Sequence, residues 1–256
     1  MKKKILTVCL IVALVAMLAV SGTMAYLSDH EHAENVMELG RVNITQLEQE
    51  RDGSGNMVDF QQNKPLYPLV DLRGAGEAMF VNGLFNENIK NVVDKFISVR
   101  NDGTRACYVR TILAFESVRS YEPGSSTIYT DLHDNFFLVS CGKSDVAGET
   151  YKVEYLDQYI VIDGVEYVLA VCTYEKALQP GETTPYSLKQ FALTSEAGNE
   201  IMDTWFGTDY TVLALSQAVQ MAGFESVGAE YALNTAFGQI TEANAQAWFN
   251  EFVTIP

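Results

Sequence analysis

The sequence predicts a mainly β protein: an antiparallel, jelly-roll-like β-sandwich with an irregular insert and one or two short C-terminal helices. Three observations favour this class. Apolar and polar residues alternate with period two through much of the chain. Asp-Gly and Pro-Gly turns separate these alternating runs. The runs do not alternate with helical segments, as a parallel sheet would require. The hydrophobic fraction of 48% is sufficient to form a core.

The first elements precede residue 114. "GRVNITQLEQE", beginning at Gly40, predicts the first strand, and "RDGSGN" predicts a loose turn. The stretch 61–89 contains two prolines and several glycines and has no regular period. "VVDKFISVRNDGTRACYVRTILAFE" predicts two long strands joined as a hairpin by "NDG" at 101–103. Within it, Tyr108 and Arg110 are predicted to pack on the sheet rather than to bind a ligand.

The second half begins with the predicted insert, approximately residues 114–158, where strand signals are fewer. "QYIVIDGVEYVLAVCTYE" then predicts a second hairpin, since Asp-Gly at 163–164 favours a type I′ turn. A Pro-Gly turn at 180–181 precedes a further strand. "DYTVLALSQAVQ" predicts a last strand buried on both faces, as Val212, Leu213 and Leu215 indicate.

Helix signals come late in the chain. "SVGAEYALNTAF" and "TEANAQAWFNEF" contain good helix formers, and Thr241 is a suitable N-cap residue. Ala243, Ala247, Trp248 and Phe252 have roughly helical spacing, which predicts that this face of the last helix packs on the body of the protein.

The N-terminus has the three parts of a secretory signal peptide. A basic "MKKK" precedes the apolar residues 5–20, and "TMA" places Thr23 and Ala25 at the small-residue positions of a cleavage site. Cleavage is expected before Tyr26, leaving residues 26–256 as a single β-sandwich domain. The alternative is an uncleaved N-terminal anchor, although the apolar run is shorter than the roughly 20 residues that span a bilayer.

The net charge and the cysteines narrow the range of functions that the sequence predicts. The net charge of −16 disfavours binding to nucleic acid or anionic lipid. Apart from Cys9 in the signal segment, the chain has Cys107, Cys141 and Cys172. We expect buried thiols, with a bridge between facing strands as the alternative.

A family resemblance rests on several blocks in a fixed order. They are "SGTMAYLSD", "AENVMELGRVNI", "VDKFISVRNDGTRACYVRT", "LQPGETT" and "YTVLALSQAVQ". This order resembles the proteins that carry SipW-dependent signal peptides, a group that includes the biofilm fibre protein TasA and the camelysins. The matching positions are Gly22, Thr23, Ala25, Tyr26 and Asp29; Asn35 and Gly40; Lys95, Val99, Asn101, Gly103, Tyr108, Val109 and Arg110; Pro180, Gly181 and Thr183; and Ala218, Val219 and Gln220.

The resemblance implies a secreted protein of the cell surface or extracellular matrix, cut by a signal peptidase of the SipW type. It also implies self-association, in which the N-terminal segment of one mature subunit completes a sheet of its neighbour, or association with other matrix proteins. The candidate donor residues are Tyr26, Leu27, Val36 and Met37. The alternative is that this segment forms the first strand of its own sandwich, with a frayed tail before it.

Catalysis and cofactors find little support in the sequence. "HEHAE" at 30–34 departs from the zinc-protease pattern HExxH, because Glu34 occupies the position of the second histidine. His30, His32 and Glu34 are therefore weak metal candidates, and we predict no catalytic residue and no cofactor. The function predicted first is a structural matrix protein or fibre subunit. The alternatives are a camelysin-like metal-dependent surface protease and a monomeric adhesion or polymer-binding module.

Overall fold

A computed structural model describes residues 41–62, 64–116, 137–141, 151–194 and 210–252. The strands are β1 (Ile44–Arg51), β2 (Met57–Asp59), β3 (Val70–Asp71), β4 (Phe80–Val81), β5 (Leu84–Phe85), β6 (Ile89–Lys90), β7 (Val92–Asn101), β8 (Cys107–Glu116), β9 (Phe137–Cys141), β10 (Tyr151–Ile162), β11 (Val165–Leu178), β12 (Leu188–Leu193) and β13 (Val212–Gln220). The helices are α1 (Gly228–Phe237) and α2 (Glu242–Phe252).

Two antiparallel sheets face each other. The five-stranded sheet has the order β2-β1-β7-β12-β9, and the four-stranded sheet has the order β10-β11-β8-β13. Their facing sides enclose the largest core cluster, which includes Ile97, Leu113, Phe115 and Leu188. The prediction of a mainly β, antiparallel sandwich is therefore confirmed.

The chain changes sheets at most of its connections. β7 lies in the five-stranded sheet and β8 in the four-stranded sheet, so the predicted hairpin around "NDG" is wrong. Residues 102–106 instead form an arch between the two sheets. The hairpin predicted at Asp163 and Gly164 is confirmed: both residues have positive φ, 50° and 85°, as a type I′ turn requires.

The arch depends on Asn101 and Gly103. The Asn101 side chain is fully buried and donates hydrogen bonds to the carbonyls of Arg105 (2.9 Å) and Leu178 (3.0 Å). A Cβ atom at Gly103 would lie 2.3 Å from the carbonyl oxygen of Arg41, so only glycine allows this approach. The arch therefore also fastens the chain that leads into β1. This explains why β1 begins at Ile44 rather than at Gly40, where the sequence predicted it.

The two helices cover the outer face of the four-stranded sheet. α1 packs through Ala232 and Leu233 beside Tyr108, and α2 packs through Ala245 and Phe249. The predicted N-cap is confirmed, since the backbone N–H of Asn244 donates to Thr241 Oγ1 (3.2 Å). The predicted buried face of α2 is wrong in part. Ala243 and Ala247 are exposed and Trp248 is half-buried, while the side chain of Phe252 lies outside the described residues.

Residues 67–91 lie against the five-stranded sheet. This stretch, which has no regular sequence period, forms two small antiparallel ladders, β3 with β6 and β4 with β5. Phe85, Ile89 and Ala192 form the core beneath the ladders. Several of the protein's exposed apolar side chains lie here, among them Tyr67 and Leu72.

The interval predicted as an insert contains parts of both sheets. β8 extends to Glu116, β9 occupies Phe137–Cys141 and pairs with β12, and β10 begins at Tyr151. These residues therefore belong to the sandwich. The other residues of the predicted irregular insert, 117–136 and 142–150, lie outside the described residues.

Candidate strand-accepting edge

The four-stranded sheet ends at β13, and this strand is the main candidate site. β13 pairs with β8 along all nine of its residues, from Val212 opposite Phe115 to Gln220 opposite Cys107. On its other side, no strand is found among the residues that the structure describes. We call this side the β13 edge. An unpaired edge exposes N–H and C=O groups to which another strand can bind.

The direction of the backbone groups follows from two hydrogen bonds. The Thr211 carbonyl accepts from the N–H of Glu116 at the end of β8 (3.2 Å), and the Met221 N–H donates to the Ala106 carbonyl (2.9 Å). Odd-numbered residues therefore direct their backbone groups toward β8. Because this direction alternates along a strand, the N–H and C=O groups of the even-numbered residues point away from β8. These residues are Val212, Ala214, Ser216, Ala218 and Gln220.

The composition of β13 is that of an interior strand. Its sequence, VLALSQAVQ, has no charged residue, proline or glycine. Natural edge strands usually carry such residues because they discourage pairing with other chains. Both faces of β13 are packed: Val212 lies against the core between the sheets, and Leu213 against the core beneath α2. The prediction of burial on both faces is confirmed for Leu213, whereas Val212 and Leu215 are half-buried.

One side chain reaches the β13 edge from the opposite sheet. Gln46 of β1 donates from Nε2 to the Ala214 carbonyl (3.3 Å), and Ser216 Oγ donates to Gln46 Oε1 (2.7 Å). Gln46 therefore bridges the two sheets along this side of the sandwich. It occupies a single outward carbonyl of β13.

Arg110 fixes β13 to the helices. Its Nε donates to Gln217 Oε1 (2.7 Å), and its terminal nitrogens donate to Asn234 Oδ1 (2.8 Å) and the Gly238 carbonyl (3.3 Å). The guanidinium lies 5.3 Å from the centre of the Trp248 ring. Burial lowers the pKa of Arg110 to about 10, which reflects the cost of removing a cation from water. Arg110 and the buried Tyr108 are thus packing residues, as predicted.

The part of the chain that the structure describes begins at Arg41, where the N-terminal segment ends. The Arg41 carbonyl accepts from the N–H of Thr104 in the arch (2.9 Å), and the Asn43 carbonyl accepts from the N–H of Asp102 (2.8 Å). Hydrogen bonds from Arg100 and then from Thr45 lower the pKa of Asp102. The attachment point of the segment is therefore held by backbone and side-chain bonds.

The site residues predicted from the sequence all precede this point. They are the cleavage residues Thr23, Ala25 and Tyr26, the donor candidates Tyr26, Leu27, Val36 and Met37, and the weak metal candidates His30, His32 and Glu34. All of them lie outside the described residues. Where side chains are described, no cluster of three or more His, Cys, Asp or Glu suited to a metal is found. Sequence reasoning missed the edge position of β13, because its uncharged sequence is typical of an interior strand.

A groove of about 780 Å³ lies beside the ladders and was also considered as a site. Its central polar groups are engaged with one another. Arg51 Nε donates to Asp94 Oδ2 (2.6 Å), and Gln190 Nε2 donates to Asp94 Oδ1 (2.7 Å). Gln190 Oε1 in turn accepts from the N–H of Phe85 (2.8 Å). This network holds the ladders on the sheet, so we assign no ligand to the groove.

Two of the cysteines are described in full. Cys107 and Cys172 are both completely buried in the core between the sheets. Burial raises the pKa of the Cys107 thiol to about 11, so this thiol stays protonated and unreactive at neutral pH. The side chain of Cys141 lies outside the described residues.

Comparisons with known proteins give no family assignment: no protein-family model matches the chain, and no curated protein matches it. Across the ranges given above, neither helix has the length and apolar character needed to cross a bilayer.

Proposed function

We propose that this protein is an exported structural component of the cell surface or extracellular matrix, of the TasA/camelysin type. A signal peptidase of the SipW type would release it by cleavage before Tyr26. The mature chain would then self-associate, with residues 26–37 of one copy adding a strand to the β13 edge of another. It has no catalytic activity of its own in this proposal. The observation that supports it best is β13, an edge strand with the composition of an interior strand.

Hydrogen bonding provides the first argument. A strand added to β13 would pair with the outward N–H and C=O groups of its five even-numbered residues, which gives main-chain affinity. Nine residues of β13 extend about 30 Å at roughly 3.3 Å per residue. An extended segment of residues 26–37 reaches about 40 Å on the same basis. The donor segment is therefore long enough to cover the whole edge.

Side-chain size provides the second argument. The even-numbered residues of β13 face the core between the sheets, where Val212, Ala214 and Ala218 contact it. Three consecutive positions on this face hold the small residues Ala214, Ser216 and Ala218. Small residues at an edge leave room for larger neighbours on an added strand. Leu27 and Met37, which share a face of an extended strand because they are ten residues apart, would supply these larger apolar side chains.

Chain direction favours a neighbouring copy as the donor. β13 runs toward the arch, since its last residue, Gln220, pairs with Cys107. The N-terminal segment of the same copy also leads to the arch, at Arg41. If it paired with the β13 of its own copy, the two strands would therefore run parallel. A segment from another copy has no such constraint and can pair antiparallel. Antiparallel ladders are slightly more stable per residue.

The test compares mature protein beginning at Tyr26 with a variant that lacks residues 26–37. We expect filaments or large oligomers from the mature chain, and a monomer of unchanged circular dichroism from the variant. A synthetic peptide of residues 26–37 should bind this monomer in a one-to-one ratio. A peptide with the same residues in scrambled order is the matched control and should not bind.

Two outcomes would contradict the proposal. Equal assembly by the variant would show that the segment is not the donor. Casein hydrolysis by the mature protein that is lost with a chelator, and in a double variant with His30→Ala and His32→Ala, would instead support the protease alternative. A stable monomer that binds cell-wall or matrix polymer would support the adhesion alternative.

A further inference from the structure

The opposite edge of the four-stranded sheet, at β10, carries an unusual side-chain contact. Gln246 of α2 accepts a hydrogen bond at Oε1 from the N–H of Val161 (2.6 Å). The same amide donates from Nε2 to the carbonyl of Val161 (2.7 Å). In an antiparallel ladder, two directly opposite residues exchange this same pair of bonds. The Gln246 amide therefore occupies the position that the backbone of a neighbouring strand would take.

The rest of α2 holds this amide in place. Ala245 and Phe249, on either side of Gln246 along the helix, are fully buried in the core that includes Ile160 and Ile162. Gln246 Nε2 also donates to Asn250 Oδ1, one turn further along (3.0 Å). The amide is thus positioned by helix packing and by a second polar contact.

The contact lies at the end of β10 where the strand's own sequence offers no charge and no proline. The first half of β10 carries Lys152 and Glu154, and the register with β11 shifts between Leu156 and Tyr159. Charges and bulges both discourage pairing with another chain. The last four residues, Tyr-Ile-Val-Ile, have no charge, proline or glycine and favour the β conformation. The Val161 side chain is 44% exposed.

We propose that α2 acts as an edge guard, in which Gln246 prevents the end of β10 from pairing with the β13 edge of a second copy. The β13 edge is the best-matched occupant because it is uncharged and has no strand partner among the described residues. This inference rests on the proposed self-association and adds a restriction to it. With β10 guarded, each copy offers one accepting edge of this sheet, so growth proceeds through the donor segment rather than by fusion of sheets.

The experiment uses the variant that lacks residues 26–37, so that strand donation cannot contribute. In this background, Gln246→Leu keeps the side-chain size and removes both bonds to Val161. Hydrogen exchange at the Val161 amide should rise at least tenfold. Sedimentation should show concentration-dependent association, while circular dichroism stays unchanged. Glu251→Leu is the matched control, because it adds the same apolar residue at an exposed position of the same helix.

Two further variants identify the contact surfaces. Val161→Lys, added to Gln246→Leu, places a charge on the β10 edge and should restore the monomer. Ala218→Pro removes an outward N–H of β13 and should also restore it. A monomeric Gln246→Leu variant would overturn the proposal, and association that survives Ala218→Pro would overturn β13 as the occupant. Whether residues 26–37 act as the donor is tested separately, by the assembly of the mature chain that contains them.

Discussion

The two edges of the four-stranded sheet differ sharply in their protection. β10 has charged residues, a register shift and the Gln246 amide, whereas β13 has an uncharged sequence and, among the described residues, two hydrogen bonds with Gln46. The strand next to each edge is buried. β8 lies beside β13, and the buried central part of β11 lies beside β10. The difference therefore does not reflect a poorly formed sheet. The proposed strand donation depends on this difference, with one edge protected against pairing and the other able to receive a strand.

Proline substitutions at two adjacent positions of β13 should have the largest effect. Val219→Pro removes an N–H that points toward β8 and leaves a ladder carbonyl without its donor, so the fold should lose about 1–3 kcal/mol. Ala218→Pro removes an N–H that points outward, so the fold should remain while binding of the peptide 26–37 falls at least tenfold. Thermal unfolding and peptide titration measure the two effects. Equal destabilisation by both prolines would contradict the assigned direction of the edge.

Gln46→Ala should have an intermediate effect. It removes the bonds to Ala214 and Ser216, so we expect a loss of about 1 kcal/mol in the free energy of unfolding. It also frees the Ala214 carbonyl, and the peptide 26–37 should bind about fivefold more tightly if Gln46 competes with it. Gln49→Ala, on the outward face of β1, is the control. Weaker peptide binding would show that Gln46 helps to hold the donor strand.

Lys152 should give the smallest effect. Its ammonium group lies 2.8 Å from Glu230 of α1 and 3.2 Å from Glu154, and hydrogen bonds to Glu230 and then to Glu154 raise its pKa above the ordinary value of a lysine. Because the pKa of Lys152 is raised by folding, the ion pairs stabilise the fold at neutral pH, and this stabilisation is lost only as the pH rises through the raised pKa. Because both partners are exposed, Lys152→Met should change stability by about 0–1 kcal/mol.

Hydrogen exchange separates the two parts of the β10 edge. Lys152→Met should increase exchange in the first half of β10 less than Gln246→Leu does near Val161. A larger effect from Lys152 would place the main protection of β10 in its charges rather than in α2.

Local features of the fold could be predicted from the sequence. Asp163 and Gly164 form a turn that depends on two residues with positive φ, and Thr241 caps a helix through its own side chain. Each depends on a few neighbouring residues. The Asn-Asp-Gly stretch at 101–103 predicts a hairpin that is wrong, because a hairpin turn and an arch use similar residues. What decides between them is distant: the bond from Asn101 to Leu178 and the approach of Arg41 to Gly103.

The candidate site depends on strand order, which the local pattern does not contain. VLALSQAVQ indicates a strand packed on both faces, but it cannot indicate that, within the described ranges, β8 is the only strand beside β13. In the same way, the buried face of α2 is set by where Ala245 and Phe249 meet the sheet rather than by helical spacing alone. Gln246 could not be recognised in advance, since its role requires Val161 from a strand 85 residues away.

The way Arg41 is fastened to the arch has a mechanical consequence for any chain of linked copies. Tension along the donor segment would enter each subunit at Arg41, beside Gly103, where the connection between the two sheets begins. From there it would pass along β1, whose ladder with β7 runs from Ile44 to Gln49. The hydrogen bonds of the arch and of this ladder would therefore bear the load together.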